Sequence, residues 1–442
     1  GTIQFRSTEE IAGSDLWIGC EVLDRDYADY DAYKDYLPQL GAKKARLQSG
    51  WAKTEKEKGV YDFKWLDAIV DDLISKKIEP WMQISYGNPL YPGGGGISLG
   101  EGLPTSEEAL QAWENYTRAL VKHFQGRVSE WEIWNEADHG YNKSSGLEYA
   151  NLYYRTAKVV RAVQPNAKLL ALSMAGINKP KFVKDFLDFL KEKDAIHLVD
   201  VVTFHGYLAN PDQGFHYIDS LKNLTHTYDP SIAFWQGETG CPSTLATSGA
   251  LKQYPWSEKL QAKWSLRRAL AHLGRGYPYL HFTISEYVYD RELFSGLNSK
   301  GLLKINPDKS IAYAKPAYYA YQNLTALLDH DYTLDTTFSY ETKSDYHMSA
   351  FSWKHKQSGN MVAIWLDGSK PTENDWYIPL DFQFNGISFK DPVVVDTRTG
   401  EVFEFPPDQY KVSEKGTEFK NIPVYDSPLI ILDRTNAPIK NL

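Results

Sequence analysis

Residues 168–204 decide the fold, because a short apolar strand, an amphipathic helix and a second apolar strand follow one another there. The first strand reads KLLAL (Lys168–Leu172) and the second reads VDVVTF (Val199–Phe204). The apolar spacing between them predicts a helix over Pro180–Glu192. Continuous apolar runs are typical of parallel strands that are buried on both faces. The stretch therefore predicts one βαβ unit of an α/β fold.

The same alternation extends over residues 13–329. Strands are predicted at Asp15–Cys20, Lys44–Gln48, Pro80–Ser85, Val128–Trp134, Lys168–Leu172, Val199–Phe204, Ile232–Gln236 and Tyr279–Ile284. Helices are predicted at Ser106–Phe124, with Thr105 or Ser106 as the N-cap, and at Leu147–Val163, Pro180–Glu192, Trp256–Leu273 and Lys315–Leu328. Eight strands alternating with helices predict a (β/α)8 TIM barrel. A doubly wound open sheet is the alternative, but no Gly-x-Gly-x-x-Gly follows the first strand.

The pattern changes after residue 329. Short strands separated by turn signals are predicted at Phe351–Trp353, Met361–Leu366, Tyr377–Phe382, Val393–Val395, Val402–Phe405 and Leu429–Leu432. This pattern predicts an antiparallel β-sandwich. We therefore expect a barrel domain at residues 13–329 and a C-terminal sandwich domain at residues 330–442, to which residues 1–12 add a strand.

Composition limits the classes of partner. The 442-residue chain has a net charge of −9, which disfavours nucleic acid and anionic membranes. No run of about 20 apolar residues is present, so no membrane-spanning segment is expected. Aromatic residues make up 14% of the chain, which modestly favours carbohydrate as a partner. Oligomeric state and compartment are not fixed, although a secreted, periplasmic or cell-surface location is favoured.

Two glutamates stand where a barrel does its chemistry. Glu136 ends the segment EIWNE (residues 132–136) after the fourth predicted strand, and Glu238 lies in WQGETG (residues 235–240) at the end of the seventh. The carboxyl ends of the strands form the active face of a (β/α)8 barrel. Breaking a glycosidic bond requires an acid for the leaving oxygen and a second carboxylate across the anomeric carbon. The pair therefore predicts glycoside hydrolysis.

These motifs resemble the clan A retaining glycoside hydrolases. The resemblance implies that Glu136 is the acid/base and Glu238 the nucleophile. It also implies that Asn135 contacts the sugar 2-hydroxyl and that Arg46, which ends the second strand, bonds the nucleophile. The segment TFHGY (residues 203–207) resembles the β-xylosidase and α-L-iduronidase family of that clan, and implies that His205 and Tyr207 line the site.

Several further residues are predicted to contact substrate. Trp51 and Trp81 are interpreted either as sugar platforms or as packing. Many clan members end the eighth strand with a tryptophan, whereas this chain has Ile284-Ser285-Glu286-Tyr287; Tyr287 is therefore expected to replace the platform and Glu286 to contact hydroxyl groups. Weaker candidates at or past strand ends are Gln83, Asn88 and Glu21.

No cofactor or metal is predicted. An acidic cluster at Asp24, Asp26, Asp29 and Asp31 lacks the EF-hand spacing and glycine, so helix capping and solvation are favoured over calcium. No His-Glu-x-x-His is present. Cys20 and Cys241 fall at the ends of the first and seventh strands, which are not neighbours in a barrel, so two free thiols are expected.

The leading hypothesis is a retaining glycosidase that acts on β-type bonds in an oligo- or polysaccharide. The resemblance suggests xylosides or uronides. The net charge and the lack of an obvious basic pocket argue against uronides, and gluco- and galacto-configured glycans stay open. A catalytically silent carbohydrate-binding barrel is the main alternative. An aldolase is disfavoured, because no strand end offers a convincing Schiff-base lysine.

Overall fold

The structure, a computed structural model, describes residues 1–246, 248–291 and 294–440. Strands are numbered in chain order, and β1 (Thr2–Ile3) lies outside the barrel. Eight parallel strands form a closed barrel in sequence order: β2 (Leu16–Gly19), β3 (Lys44–Gln48), β4 (Glu79–Ile84), β5 (Glu130–Ile133), β6 (Lys168–Met174), β7 (Val201–Phe204), β8 (Ala233–Thr239) and β9 (Tyr279–His281). Each predicted strand overlaps one barrel strand. The closed sheet confirms the barrel and excludes the doubly wound alternative.

Ten α-helices are found in the described part of the chain. They are α1 (Tyr30–Tyr33), α2 (Tyr36–Leu40), α3 (Trp51–Thr54), α4 (Lys64–Ser75), α5 (Glu107–Phe124), α6 (Gly146–Val163), α7 (Pro180–Glu192), α8 (Phe215–His226), α9 (Glu258–Leu273) and α10 (Pro316–Leu327). The five predicted helices correspond to α5, α6, α7, α9 and α10, and Ser106 is the N-cap of α5.

The sequence prediction lacked the barrel helices α4 and α8. Both bury an apolar face, but neither begins with a side chain that hydrogen-bonds to the first turn: their N-cap residues are Phe63 and Gly214. By contrast, Ser106, Ser145 and Ser257 cap α5, α6 and α9. A missing start signal therefore hid two helices whose apolar spacing was present.

The barrel interior is filled by alternating layers of apolar and charged side chains. Toward its amino-terminal end, Trp17, Trp81, Leu170 and Trp235 come from alternate strands, and the three indole rings pack with centroids 4.9–6.0 Å apart. Alternate strands supply each layer in this fold. The next layer toward the carboxyl ends is polar and is described with the site below.

Two hairpins follow the barrel. They are formed by β10 (Tyr287–Arg291) with β11 (Phe294–Asn298), and by β12 (Leu303–Ile305) with β13 (Ile311–Ala314). The first hairpin lies past the carboxyl end of β9, and it therefore adds backbone to the active face. Helix α10 then leads into the C-terminal sheets.

Two antiparallel sheets face each other in the C-terminal region. Their strands are β14 (Tyr332–Leu334), β15 (Tyr340–Glu341), β16 (Met348–His355), β17 (Asn360–Leu366), β18 (Ile378–Asn385), β19 (Pro392–Asp396), β20 (Val402–Glu404), β21 (Tyr410–Ser413), β22 (Gly416–Val424) and β23 (Leu429–Asp433). The six-stranded sheet runs β14-β16-β17-β23-β19-β20 and the four-stranded sheet runs β15-β18-β22-β21. Ile364 of the first and Phe382 and Phe419 of the second share one core. The predicted sandwich is confirmed.

The amino terminus meets this region. Strand β1 pairs with β24 (Ile439–Lys440), and the Ile3 amide donates to the Gly400 carbonyl. Lys263 of α9 joins the barrel to the sandwich through Asp426 at 2.6 Å. The domain division at residues 329 and 330 stays a prediction.

Smaller predictions concern the acidic cluster, the cysteines and the membrane. Asp29 caps α1, and the exposed Asp26 and Asp31 pair with Lys53 and Lys34, as the capping and solvation interpretation expects. Asp24 departs from it, because it is buried against Arg25. Cys20 and Cys241 are both buried and free. Among the described residues, no helix is long and apolar enough to cross a bilayer.

Candidate active site

The two predicted catalytic carboxylates meet at the mouth of the barrel. Glu136 lies three residues past β5, Glu238 lies in β8, and both residues are buried. One carboxylate oxygen of each, together with a ring nitrogen of His205, lie within 4.8 Å of one another. Retaining glycosidases place their carboxyl groups about 5–5.5 Å apart, whereas inverting enzymes need about 6.5–9.5 Å. The separation therefore suits direct attack by one carboxylate.

Glu238 is held by three donors or charges. Arg46 donates to its Oε2 at 2.9 Å, the Tyr207 hydroxyl donates to its Oε1 at 2.6 Å, and His205 Nδ1 lies 3.8 Å from Oε2. Burial opposes ionisation, but the charges on His205 and Arg46 and the Tyr207 hydrogen bond outweigh it and lower the pKa of Glu238. The residue is therefore kept as a carboxylate.

The pKa of Glu136 is shifted in the opposite direction to that of Glu238. Burial raises the pKa of Glu136, and the negative charge of Glu238 adds to this effect, while a 2.6 Å contact with His205 Nδ1 partly opposes it. Burial disfavours the charged imidazole, but Glu238 and Glu136 together raise the pKa of His205. Protonated His205 can then donate to Glu136. The pair is therefore split into an ionised carboxylate and a group suited to carry a proton.

Arg46 connects the buried polar groups beneath this pair. Its guanidinium donates to Glu132 at 2.7 Å and to Glu21 at 3.1 Å, in addition to Glu238. It also donates to Asn135 Oδ1 at 3.0 Å. Its side chain is fully buried. The predicted contact between Arg46 and the proposed nucleophile is thus present, and one cation serves three carboxylates.

Asn135 and Glu21 complete the floor of the site. Asn135 Nδ2 donates to the Tyr86 hydroxyl at 2.8 Å, which fixes the orientation of the amide. Burial raises the pKa of Glu21 to about 7, Arg46 opposes this effect and Glu238 adds to it. Glu21 was a weak candidate in the sequence, and the structure places it against Arg46.

A cavity of about 540 Å³ opens above the two carboxylates. Among the described residues, its lining includes Glu136, Glu238, Tyr207, Tyr289, Asn298 and Lys300. Tyr287 lies just behind this lining, where Asn298 donates to its hydroxyl at 3.0 Å. Of the predicted contact residues, Tyr207 therefore reaches the cavity directly and Tyr287 supports it.

Arg46, Asn135 and His205 lie beneath the cavity against the catalytic pair or its partners, whereas three other predicted substrate contacts lie away from the site. Trp51 is fully buried between the rings of Tyr91 and Tyr116. Trp81 is fully buried in the indole layer inside the barrel.

Glu286 is also fully buried, and it pairs with Lys315 at 2.6 Å. Trp51 and Trp81 pack against other aromatic rings, and Glu286 neutralises the charge of Lys315. None of the three is therefore free to contact a sugar. Of the weaker candidates, Asn88 donates to the Glu55 carbonyl, and Gln83 lies beneath the site, where it donates to Glu132.

The sequence analysis missed the cavity residues Tyr289, Asn298 and Lys300. They come from β10, β11 and the residues just after β11, not from a barrel strand end. The sequence offered only a weak signal, since an aromatic residue and a lysine beyond the eighth strand fit many surface turns.

Among the described residues, Glu136, His205 and Glu238 are close enough together to bind a metal ion. Within the protein, however, His205 already contacts Glu136 and Arg46 already contacts Glu238. Both carboxylates therefore have cationic or protonated partners from the chain itself.

Comparison with known proteins agrees with this fold. Residues 42–225 match the model of glycosyl hydrolases family 39. A β-xylosidase of Geobacillus stearothermophilus is 28% identical over 162 residues, which cover 34% of this chain and 32% of that protein. The match thus spans about a third of the relative's length.

Solved structures extend the likeness to nearly the whole chain. A family 39 glycoside hydrolase from Bacteroides cellulosilyticus WH2 superimposes with a TM-score of 0.72 at 18% identity, covering 98% of this chain and 83% of that one. A monomeric β-xylosidase from Caulobacter crescentus CB15 gives a TM-score of 0.60 at 18% identity, covering 96% and 97%. The comparisons confirm the predicted resemblance to clan A glycoside hydrolases near the β-xylosidases.

Proposed function

We propose that the protein is a retaining glycoside hydrolase that cleaves β-type glycosidic bonds in oligo- or polysaccharides by double displacement. The observation that carries the proposal is the close approach of Glu136 and Glu238 combined with their opposite pKa shifts. A close pair with one ionised and one protonated member is what attack and leaving-group protonation require.

In the first step, a Glu238 carboxylate oxygen attacks the anomeric carbon. The bond to the leaving oxygen breaks as Glu136 transfers its proton to that oxygen, which yields a covalent glycosyl-enzyme ester. Arg46 and Tyr207 hold the attacking carboxylate in place through Oε2 and Oε1. These contacts position the nucleophile before the substrate arrives.

In the second step, Glu136 accepts a proton from water, which attacks the anomeric carbon and releases Glu238. Esterification removes the negative charge of Glu238, so the pKa of Glu136 falls and the residue becomes a base. His205 Nδ1 lies 2.6 Å from Glu136, and both glutamates raise the pKa of His205, so its protonated form stabilises the Glu136 carboxylate.

A catalytically silent binding protein is less well supported. Binding alone needs no protonated carboxyl beside an ionised one, and burying both has a cost. The two carboxylates, Arg46 and His205 together form an arrangement that binding does not explain.

The test is hydrolysis of a panel of aryl β-glycosides and polysaccharides by the wild type, Glu238→Ala and Glu136→Ala. We expect both variants to lose turnover by several orders of magnitude. Added azide should give a β-glycosyl azide with Glu136→Ala and an α-glycosyl azide with Glu238→Ala. Glu404→Ala, an exposed change in the sandwich, serves as the control. Full activity in both site variants would overturn the proposal, and tight glycan binding without turnover would favour the silent binder.

A further inference from the structure

The cavity above the catalytic pair is unexpectedly basic. Besides Glu136 and Glu238, the ionisable side chains in its described lining are histidine, lysine and tyrosine: His139, Lys179, Lys252, Lys300, Tyr207 and Tyr289. Lys179 is paired with Asp138 at 2.7 Å, and Lys252 is exposed. The sequence analysis expected no basic pocket, because these three lysines come from separated parts of the chain.

Lys300 stands apart from the other lysines of the cavity. Only 2% of the residue is exposed, yet its ammonium group makes no hydrogen bond or ion pair with the residues that the structure describes. It lies 5.6 Å from the centroid of the Tyr207 ring. Burial lowers the pKa of Lys300 to about 8, although Cys241 and Glu238 oppose the shift. Most Lys300 side chains are therefore charged at neutral pH.

The backbone that carries Lys300 is firmly held. Lys315 Nζ donates to the carbonyls of Ser299 and Gly301 at 3.1 and 2.7 Å, and it also pairs with Glu286. Gln261 Nε2 donates to the carbonyl of Lys300 itself at 3.1 Å. We refer to Lys315 and Gln261 as the carbonyl clamp. The clamp holds these carbonyls by hydrogen bonds and so fixes the backbone from which the Lys300 side chain extends.

A buried ammonium group that has no counter-ion among the described residues is costly, so its position calls for a function. Support of Glu238 is one explanation, but Arg46, Tyr207 and His205 already contact that carboxylate. The remaining explanation is an anion that arrives with the substrate. It would supply the missing partner in a partly dehydrated site, where a charge-assisted hydrogen bond is strong.

We propose that Lys300 forms an anion subsite of the catalytic cavity, which selects a sugar that carries a carboxylate or a sulfate ester. This inference rests on the proposed glycosidase activity and names the substrate class of the same site. The basic lining favours entry of such a sugar, and Lys300 provides the fixed contact.

The test uses matched aryl β-glycosides that differ in one acidic group. One pair is a glucoside and its glucuronide, and the other is a galactoside and its 6-sulfate. We expect the wild type to show higher kcat/KM on the acidic member of at least one pair, and the responding pair distinguishes carboxylate from sulfate. In Lys300→Met the ratio of kcat/KM on the acidic member to kcat/KM on the neutral member should fall about 10- to 100-fold, the range of one charge-assisted hydrogen bond.

Lys300→Arg should recover part of the preference, because it restores the charge. Lys411→Met, an exposed change in β21, controls for the loss of one positive charge. An equal loss on neutral and acidic substrates would show that Lys300 supports Glu238 and would overturn the subsite. A wild type that prefers the neutral members of both pairs would also overturn it.

A binding measurement separates this inference from the proposed function. Calorimetry with the Glu136→Gln variant would compare the same acidic and neutral glycosides in the absence of turnover. Preferential binding of an acidic member that disappears in Glu136→Gln/Lys300→Met would support the subsite even if the wild type hydrolyses nothing. Equal binding of acidic and neutral members would contradict it even if hydrolysis is observed.

Discussion

Lys44 and Arg46 lie two residues apart on β3 and both point into the barrel, yet their surroundings differ. Lys44 pairs with Glu130 at 2.7 Å and lies 4.4 and 4.5 Å from the centroids of Trp17 and Trp235. Arg46 serves Glu21, Glu132 and Glu238 at once. Lys44, the cation nearer the amino-terminal end of the barrel (the lower cation), is surrounded by aromatic rings and has one main partner. Arg46, the cation nearer the active face (the upper cation), is shared among three carboxylates. The comparison indicates that the lower charge supports the fold and the upper one controls ionisation.

The largest effect expected is on activity in Arg46→Met. Without the guanidinium, Glu238 loses a hydrogen bond and a neighbouring positive charge, and three buried carboxylates lose their shared cation. We expect kcat/KM to fall about 10³-fold or more, the scale of losing the arrangement of a catalytic group. Arg46→Lys keeps the charge but cannot reach all the acceptors, so it should recover only part. Wild-type activity in either variant would contradict the comparison.

Lys44→Met should show the reverse pattern. It leaves Glu130 buried with only the more distant Lys168, at 3.5 Å. We expect the free energy of unfolding, measured by urea titration, to fall by about 3 kcal/mol. The kcat/KM of the folded fraction should stay within threefold of the wild type. A large loss of kcat/KM with unchanged stability would mean that the lower cation also acts on the chemistry.

His205→Asn tests whether the charge of His205 sets the protonation states of Glu136 and Glu238. Activity requires Glu238 ionised and Glu136 protonated, so kcat/KM should fall below the pKa of Glu238 and above that of Glu136. The positive charge of His205 lowers both pKa values, so its removal should move both limbs of the profile to higher pH. His216→Asn, at an exposed site on α8, is the control. If neither limb of the pH profile moves, the charge of His205 does not control the pKa values of Glu136 and Glu238.

The smallest effect concerns Glu21 and pH. Because its folded-state pKa is raised to about 7, the folded state holds the proton more tightly than the unfolded chain. The resulting stabilisation is fully present below the ordinary carboxyl pKa and is lost as pH rises through about 7. Glu21→Gln should therefore lose less stability than the wild type between pH 5 and pH 8, by thermal melting. An equal loss in both proteins would assign the pH dependence to other groups.

The sequence was sufficient to predict the site residues that are positioned by a barrel strand. Arg46, Glu136, His205 and Glu238 lie in strands or just past their ends, and a closed barrel brings those ends together whatever the loops do. Lys300 was not predicted because its place depends on the carbonyl clamp, whose members are far from it along the chain.

The aromatic residues show a second limit of prediction. Trp81 and Gln83 lie two residues apart on β4 and face the same side of the strand. Trp81 packs in the apolar layer and Gln83 lies beneath the site only because they are at different depths in the barrel. A tryptophan suits either position, so residue type could not decide between platform and core. The same ambiguity covers Trp51, which packs among helical aromatics.

The carbonyl clamp also bears on how such a protein diverges. The proposed catalytic residues lie on β8 and just past β5, and Arg46 lies on β3. The clamp consists instead of Gln261 in α9 and the N-cap residue of α10, and it holds the segment after β11. Mutation, insertion or exchange of that segment leaves the bond-breaking strands untouched. We therefore expect that the accepted sugar can change by substitutions in this segment while the proposed reaction stays the same.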